Sequence, residues 1–328
     1  MSTSRRTLLK VAGVAAAGTL LRTSKAKAAA NVSLRSLSYC NLRSGSALTL
    51  GVKQGDRILD VARAGKQMGV AVPLTTDEVI AGKHVDGLQQ ILASPPKDAL
   101  VAEKDAHFGP CITDPEKIIM LGFNYRKHAM ETGRPIPKAP VLFNKYNNAL
   151  SGHGGTIKLP NKVAKKFDYE IELQVIMGKT ARDVSEADAL NYVFGYATGN
   201  DFSARDLQNR DGPASQFMIG KTPDGFMPIG PWLVGAEAVG DPQKLRLETR
   251  VNGEQRQSSN TSDMIVTCAQ IIAYTSSLFT LKPGDLFSTG TPEGVIQGMP
   301  PEKQKWLQAG DKVACSVEKC GELRFDLA

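Results

Sequence analysis

An α+β fold dominated by strands is what this sequence predicts, on three observations. Strand-like runs are short and many, one long helical pattern stands among them, and turn signals recur, with 31 glycines and 18 prolines in 328 residues. A doubly wound sheet would show strands and helices in regular alternation, and this chain does not. An apolar fraction of 41% beside 22% charged residues suits a globular chain with a sizeable core.

From the N-terminus, residues 1–28 read as an export signal. Arg5 and Arg6 stand paired, Val11–Leu21 is modestly apolar, and Ala26-Lys27-Ala28 offers a small-x-small cleavage site. The arginine pair resembles the twin-arginine type, which implies a folded passenger, contact with the membrane only during export, and a periplasmic destination. The apolar run is too short for an ordinary span of about 20 residues. This segment also accounts for the charge. Of the formal +7, six positive charges and no acid lie in residues 1–28, which leaves +1 on the remainder. A near-neutral body gives no electrostatic footprint for nucleic acid.

Residues 29–115 predict a small N-terminal domain. Strand-like runs at Val32–Tyr39, Ala47–Val52 and Arg57–Val61 precede helix-like stretches at Asp77–Ala81 and Val85–Ala93, and Pro95-Pro96 breaks the chain. His84 and His107 stand alone there and suit surface or packing roles. Residues 116–328 read as a second, larger domain, which the family resemblance given below implies is the catalytic one. Ile118–Gly122 reads as a buried strand, Asn124–Glu131 as a short helix entered from a turn, and Val141–Phe143 as a strand again. Gly152–Gly155 lacks the spacing of a phosphate loop, and His153 within it suits a loop role. Ser185–Tyr192 is helix-like. Pro231–Val234, Leu245–Val251, Asp285–Ser288, Lys312–Val317 and Glu322–Leu327 are strand-like, and Asn252-Gly253 signals a hairpin. Asp263–Leu281 is the long helical pattern, stopped by Lys282-Pro283-Gly284. Cys40, Cys111, Cys268, Cys315 and Cys320 are odd in number and lack paired CxxC spacing, so they read as structural or free, although Cys315 and Cys320 could bridge across a hairpin.

Two places carry chemistry. In Asp168–Met177, aliphatic residues recur at alternate positions, so Glu170 and Glu172 share one face of a strand, roughly 7 Å apart. Two carboxylates that close repel unless a proton or cation intervenes, and a hard divalent ion is the simplest remedy. The alternative is a Glu face that simply meets solvent. His128 and Glu131 lie at i and i+3, on one face of a helix. A carboxylate beside an imidazole fixes its tautomer and strengthens it as a base, as proton removal from water requires, although such pairs also occur on solvated surfaces.

From about Lys117 to Leu327 the sequence resembles the fumarylacetoacetate hydrolase family. The resemblance is carried by Gly122-Phe123-Asn124-Tyr125-x-x-His128, Pro140-Val141-Leu142-Phe143-x-Lys145 and Asp168-Tyr169-Glu170-x-Glu172-Leu173. It continues in Asn200-Asp201-x-Ser203-Ala204-Arg205-Asp206-x-Gln208, Gly220-Lys221, Asn260-Thr261-Ser262-Asp263-Met264 and Gly290-Thr291-Pro292-x-Gly294-Val295. The resemblance implies a mixed β-roll, a homodimer, and Mg²⁺ or Mn²⁺ held by Glu170, Glu172 and Asp201. It implies His128 and Glu131 as the base pair on a lid, Lys221 beside a developing oxyanion, and Gln208 and Thr291 on the substrate. Arg205-Asp206 match a structural pair. The reaction implied is hydrolysis of a C–C bond in a 2-oxo or 1,3-diketo carboxylic acid. Isomerisation or decarboxylation of hydroxymuconate-like or oxaloacetate-like acids is the alternative, and carboxylate binding without turnover is a third. Tyr146 and Thr198-Gly199 depart from the family pattern, the first near enough to the pocket to bear on substrate choice.

Overall fold

The computed structural model describes residues 32–328, which form one compact unit. The expected export signal lies outside the described residues. Strands β1 (Ser38–Ser44), β2 (Ala47–Gln54) and β3 (Arg57–Asp60) open the chain, and β4 (Leu100–Ala102) follows helices α1 (Val61–Met68), α2 (Thr76–Ile80) and α3 (Val85–Ala93). Next come β5 (Ile118–Gly122), the short helix α4 (Arg126–Glu131), β6 (Val141–Lys145) and β7 (Gly155–Ile157). β8 (Ile171–Met177) and β9 (Val193–Asn200) pair, and helices α5 (Arg205–Gln208) and α6 (Phe217–Lys221) follow them. β10 (Leu233–Gly235), β11 (Arg246–Val251), β12 (Glu254–Asn260), α7 (Cys268–Leu278), β13 (Leu286–Ser288), β14 (Lys312–Val317) and β15 (Gly321–Leu327) complete the chain.

Ten strands make one sheet in the order β4-β3-β2-β1-β10-β9-β8-β13-β5-β6. The N-terminal strands join it because β1 pairs with β10, Ser38 opposite Val234. A single sheet therefore runs across position 115. A second sheet has the order β12-β11-β14-β15-β7, with Asn252-Gly253 at the β11–β12 turn as its sequence signals. The strand-rich α+β expectation is met.

The large sheet carries a core on each face. Leu173 and Val175 of β8 pack with Leu247, Val313 and Phe325 of the second sheet. Ile176, pointing the other way, packs with Leu50, Leu88 and Ile91 of the N-terminal segment. Burial on both sides leaves all of β8 buried. The long helical pattern is trimmed to α7. Thr267 caps that helix by accepting from Gln270 N, and the Gln270 side chain accepts from Thr267 N in return, a capping box that fixes the start. Upstream, Ile265 N and Val266 N are already donated to Asn124. All five cysteines are buried and unpaired, so the bridge between Cys315 and Cys320 does not form.

What positions the site is strand polarity. β8 runs antiparallel to both β9 and β13, and β13 runs parallel to β5. The start of β8 and the ends of β9, β13 and β5 therefore lie at one end of the sheet.

Candidate active site

Glu170 precedes β8, Glu172 is its second residue, and Asp201 follows β9. Ile171 stands opposite Asn200, so the register brings the three carboxylates together, with ligand-capable oxygens within 4.8 Å of one another. All three side chains are buried, which overturns the solvent-facing alternative for Glu170 and Glu172.

Three buried cations surround them. Lys221 Nζ lies 2.5 Å from Glu170 Oε2 and 2.7 Å from Asp201 Oδ2. Arg205 gives Nη2 to Glu170 Oε1 at 2.6 Å and Nε to Asp168 Oδ2 at 2.9 Å. Lys145 Nζ approaches Asp201 Oδ1 at 2.6 Å but aims its protons at the carbonyls of Phe226 and Phe202. Asp201 Oδ1 thus has the Lys145 ammonium as its one close partner among the described residues, shared with those two carbonyls. Burial works against ionisation of Glu170, yet Arg205 and Lys221 outweigh it and hold its carboxyl well below the usual range. The same burial opposes the Lys221 charge, and Asp201 and Glu170 overcome it, so its ammonium is held above its ordinary value. For Lys145, burial wins and pushes the ammonium down.

Glu172 differs. It is in no ion pair among the described residues; Oε2 accepts from the Ser288 hydroxyl and from Gly290 N at 2.9 Å. Burial, with the charges of Asp201 and Glu170, pushes its carboxyl well above the ordinary range. A buried carboxyl without a cationic partner, beside two further carboxylates, is the arrangement a dication relieves. The donor set, three carboxylates and no thiol or imidazole, suits a hard oxygen-loving ion. These residues fit a divalent metal.

Above this cluster sits α4. His128 Nδ1 lies 2.8 Å from Glu131 Oε1, and Glu131 Oε2 accepts from Gly294 N at 2.9 Å. The pair thus joins the helix to the Thr291–Val295 loop, and His128 is buried over the cleft. Phe123, held in a left-handed backbone at φ 56°, stacks on the His128 ring at 6.3 Å. A non-glycine residue in that conformation costs about 1–2 kcal/mol. The cleft spans about 450 Å³ with its open mouth included, and Phe123, Phe143 and Phe217, packed on one another, form an apolar wall that meets Lys221 at Phe143.

Six of the eight expected site residues, His128, Glu170, Glu172, Gln208, Lys221 and Thr291, line this cleft; Glu131 adjoins it through His128 and Asp201 through Lys221. Thr291 Oγ1 accepts from Gln257 Nε2 at 2.9 Å, which leaves its own proton to donate. Gln208 Oε1 accepts from Arg205 Nη1 at 2.9 Å, which leaves its amide hydrogens free for a ligand. His153 packs edge-on against Phe108, away from the cleft, and His84 and His107 are exposed. Arg205 and Asp206 do not act as the structural pair that the resemblance implies. Asp206 instead accepts from Lys165 N, while Arg205 lines the cleft. The i, i+3 spacing of Arg205 and Gln208 places both on one helical face and could have revealed it. Lys145 and Ser288 also shape the site, and each owes its position to residues distant in sequence.

The family model for the C-terminal domain of fumarylacetoacetate (FAA) hydrolase matches residues 117–328. A protein of Burkholderia lata, named provisionally as a hydrolase, is 41% identical over 265 residues, 81% of this chain and 92% of its own. The crystal structure of a fumarylacetoacetate hydrolase from Exiguobacterium antarcticum is 33% identical with a TM-score of 0.75, over 89% of this chain and 99% of that one. A 5-carboxymethyl-2-hydroxymuconate delta-isomerase from Mycobacterium smegmatis is 30% identical with a TM-score of 0.67, over 89% and 98%. With the family model matching residues 117–328 and three carboxylates and a lysine assembled at one cleft, this chain belongs to the fumarylacetoacetate hydrolase family of enzymes.

Proposed function

We propose that this enzyme hydrolyses a C–C bond in a 2-oxo or 1,3-diketo carboxylic acid, with Mg²⁺ or Mn²⁺ held by Glu170, Glu172 and Asp201. The observation that carries the reading is the His128–Glu131–Gly294 linkage, which fixes a base over the carboxylate cluster. Binding alone would need no such base.

When bound, the metal supplies Lewis acidity toward the 2-oxo carboxylate head of the substrate. Glu131 holds the His128 ring so that Nε2 faces the cleft as acceptor, and Nε2 takes the proton of a water attacking the distal carbonyl. The C–C bond then breaks, and its electron pair passes to the 2-oxo acid fragment as an enolate. Lys221 lies beside that fragment with its charge reinforced by two carboxylates, and it stabilises the developing oxyanion. Thr291 and the Gln208 amide orient the head. His128 returns its proton to the enolate carbon, and a carboxylic acid and a 2-oxo acid leave.

The test is turnover of acylpyruvates by purified protein, with and without Mg²⁺ or Mn²⁺. Pyruvate release that needs metal, and that falls about 10²- to 10⁴-fold in His128→Ala while metal binding persists, is the expected result. Full activity after chelation, or in His128→Ala, overturns the reading. Similarity to an isomerase supports a second reading, isomerisation at the same site, and decarboxylation of an oxaloacetate-like acid is the third. Product mass separates the three: hydrolysis adds a water, isomerisation conserves mass, and decarboxylation loses CO₂.

A further inference from the structure

Gln297, in the turn Ile296–Gly298, borders the cleft and has no part in the chemistry above. The protein holds it firmly. Its backbone N donates to the buried Asp168 Oδ2 at 3.1 Å, beside Ile296 N on Oδ1 at 2.9 Å. Its carbonyl accepts from Gln304 Nε2 at 3.3 Å, and its side-chain Oε1 accepts from Asn209 Nδ2 at 3.3 Å.

Backbone groups dictate the direction of that last contact. Asn209, at the C-terminal end of α5, takes Ala214 N on its Oδ1 at 2.7 Å, and only the oxygen of an amide side chain can receive a backbone N–H. Its nitrogen therefore faces the other way, where it donates to the Arg205 carbonyl at 2.8 Å and to Gln297. That carbonyl needs a donor, so it sets the same direction independently. Gln297 must answer with its oxygen. Its Nε2 then keeps both hydrogens, without a hydrogen-bond partner among the described residues. The side chain is half-buried at the cleft wall, so the free end of its amide is the part a ligand meets.

The neighbouring residue says which part of a ligand that is. Gly298 packs against the Glu131 carboxylate, so closely that a Cβ would stand 2.6 Å from Glu131 Cδ. Gln297 thus stands on the side of the His128–Glu131 pair. Lys221, Gln208 and Thr291 serve the 2-oxo head under the function proposed above, while the water activated by His128 attacks the distal carbonyl. That attack puts negative charge on the distal oxygen, and a donor fixed in advance is what stabilises such charge.

We propose that Gln297 donates an Nε2 hydrogen to the distal oxygen of a 1,3-diketo acid, the one on the carbon that water attacks. Asn209 is the positioning residue that keeps this donor turned to the cleft. Discrimination between 1,3-diketo acids and 2-oxo acids without the second oxygen then passes through one amide. The proposal rests on the function proposed above, which seats the 2-oxo head at the metal end.

The experiment is calorimetric binding to Mg²⁺-loaded His128→Ala protein, in which turnover is suppressed. The ligands are 2,4-dioxopentanoate and 2-oxopentanoate, equal in carbon number and different in the distal oxygen. The titrations are repeated after adding Gln297→Leu, Asn209→Asp, or both. Gln297→Leu removes a neutral hydrogen bond and should lower the preference for the diketo acid by about 3- to 10-fold. Asn209→Asp keeps an acceptor for Ala214 N but replaces the donor with a second acceptor, so the Gln297 amide turns its nitrogen away from the cleft. The preference should fall as far, and the double variant should lose no more than either single one. A preference unchanged in Gln297→Leu overturns the proposal and leaves the 2-oxo acid reading intact, because the head still binds. A preference unchanged in Asn209→Asp, or losses that add in the double variant, overturn the role of Asn209. If neither acid binds although Mg²⁺ does, the 2-oxo acid reading fails and takes this proposal with it.

Discussion

At the scale of single residues, the carboxylate cluster is set by neighbours that never touch a ligand. Glu172 Oε2 accepts from the Ser288 hydroxyl, and Ser288 Oγ in turn accepts from Gln174 Nε2 at 2.7 Å. That chain has room because Gly199, opposite Glu172 in the register, lies under the diagonal Gln174 side chain: a Cβ there would stand 2.5 Å from the Gln174 amide nitrogen. The Thr198-Gly199 departure is thus the room that lets Gln174 reach Ser288. Removing the hydroxyl in Ser288→Ala leaves Glu172 oriented by Gly290 N alone. Loss of such an outer partner typically weakens metal binding about 10- to 100-fold. Titration calorimetry with Mn²⁺ should show that loss, and an unchanged affinity would mean the hydroxyl does not orient the ligand. Alternation along one strand made Glu170 and Glu172 legible in the sequence. Lys145 was not, because its significance is a carboxylate 56 positions away that only the folded sheet brings within 2.6 Å.

At the scale of elements, α4 is the informative case. Six residues are too few to hold a helix in water alone, so its shape comes from its anchors. Arg126 Nη1 donates to Met264 O at 2.6 Å, Lys127 N to Asp263 Oδ2 at 3.0 Å, and Glu131 receives Gly294 N. The i, i+3 relation of His128 and Glu131 could be read from spacing; the anchors, which lie 136 to 163 residues away in sequence, could not. Gly298 tests the arrangement. A Cβ there would come within 2.6 Å of Glu131 Cδ and 2.8 Å of Oε1, contacts with the movable end of a side chain and not with backbone. Gly298→Ala should therefore displace the Glu131 carboxylate from His128 with little change in melting temperature. We expect kcat to fall by about tenfold or more, the scale of losing support for a general base. Wild-type kcat in this variant would show that Glu131 is not needed where it stands.

At the scale of the whole molecule, local strand signals in residues 32–61 were readable, but their partner was not: β1 pairs with β10, about 195 positions downstream. Non-local pairing leaves no periodic trace in either segment, so a separate small domain was the natural expectation. The joined sheet has a consequence for the cysteines, which it and the second sheet bury without pairing. Burial pushes the Cys315 thiol up to about 11 and those of Cys268 and Cys320 to about 12, with Cys40 and Cys111 raised further. An unfolded thiol ionises near about 8.5. Above that pH the native chain holds protons that the unfolded chain has released, so stability falls as pH rises. The contribution is complete below about pH 8.5 and is lost through the interval up to the native values. Each thiol weakens the fold by about 1.4 kcal/mol per pH unit across that interval. The melting temperature should therefore hold to about pH 8.5 and then drop steeply. Cys268→Ala should make the drop shallower, because it removes one of the protons involved. A thiol reagent at pH 8 should find no reactive cysteine in the native protein and all five after denaturation. A melting temperature constant from pH 8.5 to 11, or rapid labelling of the native chain, would contradict thiols held protonated in the core.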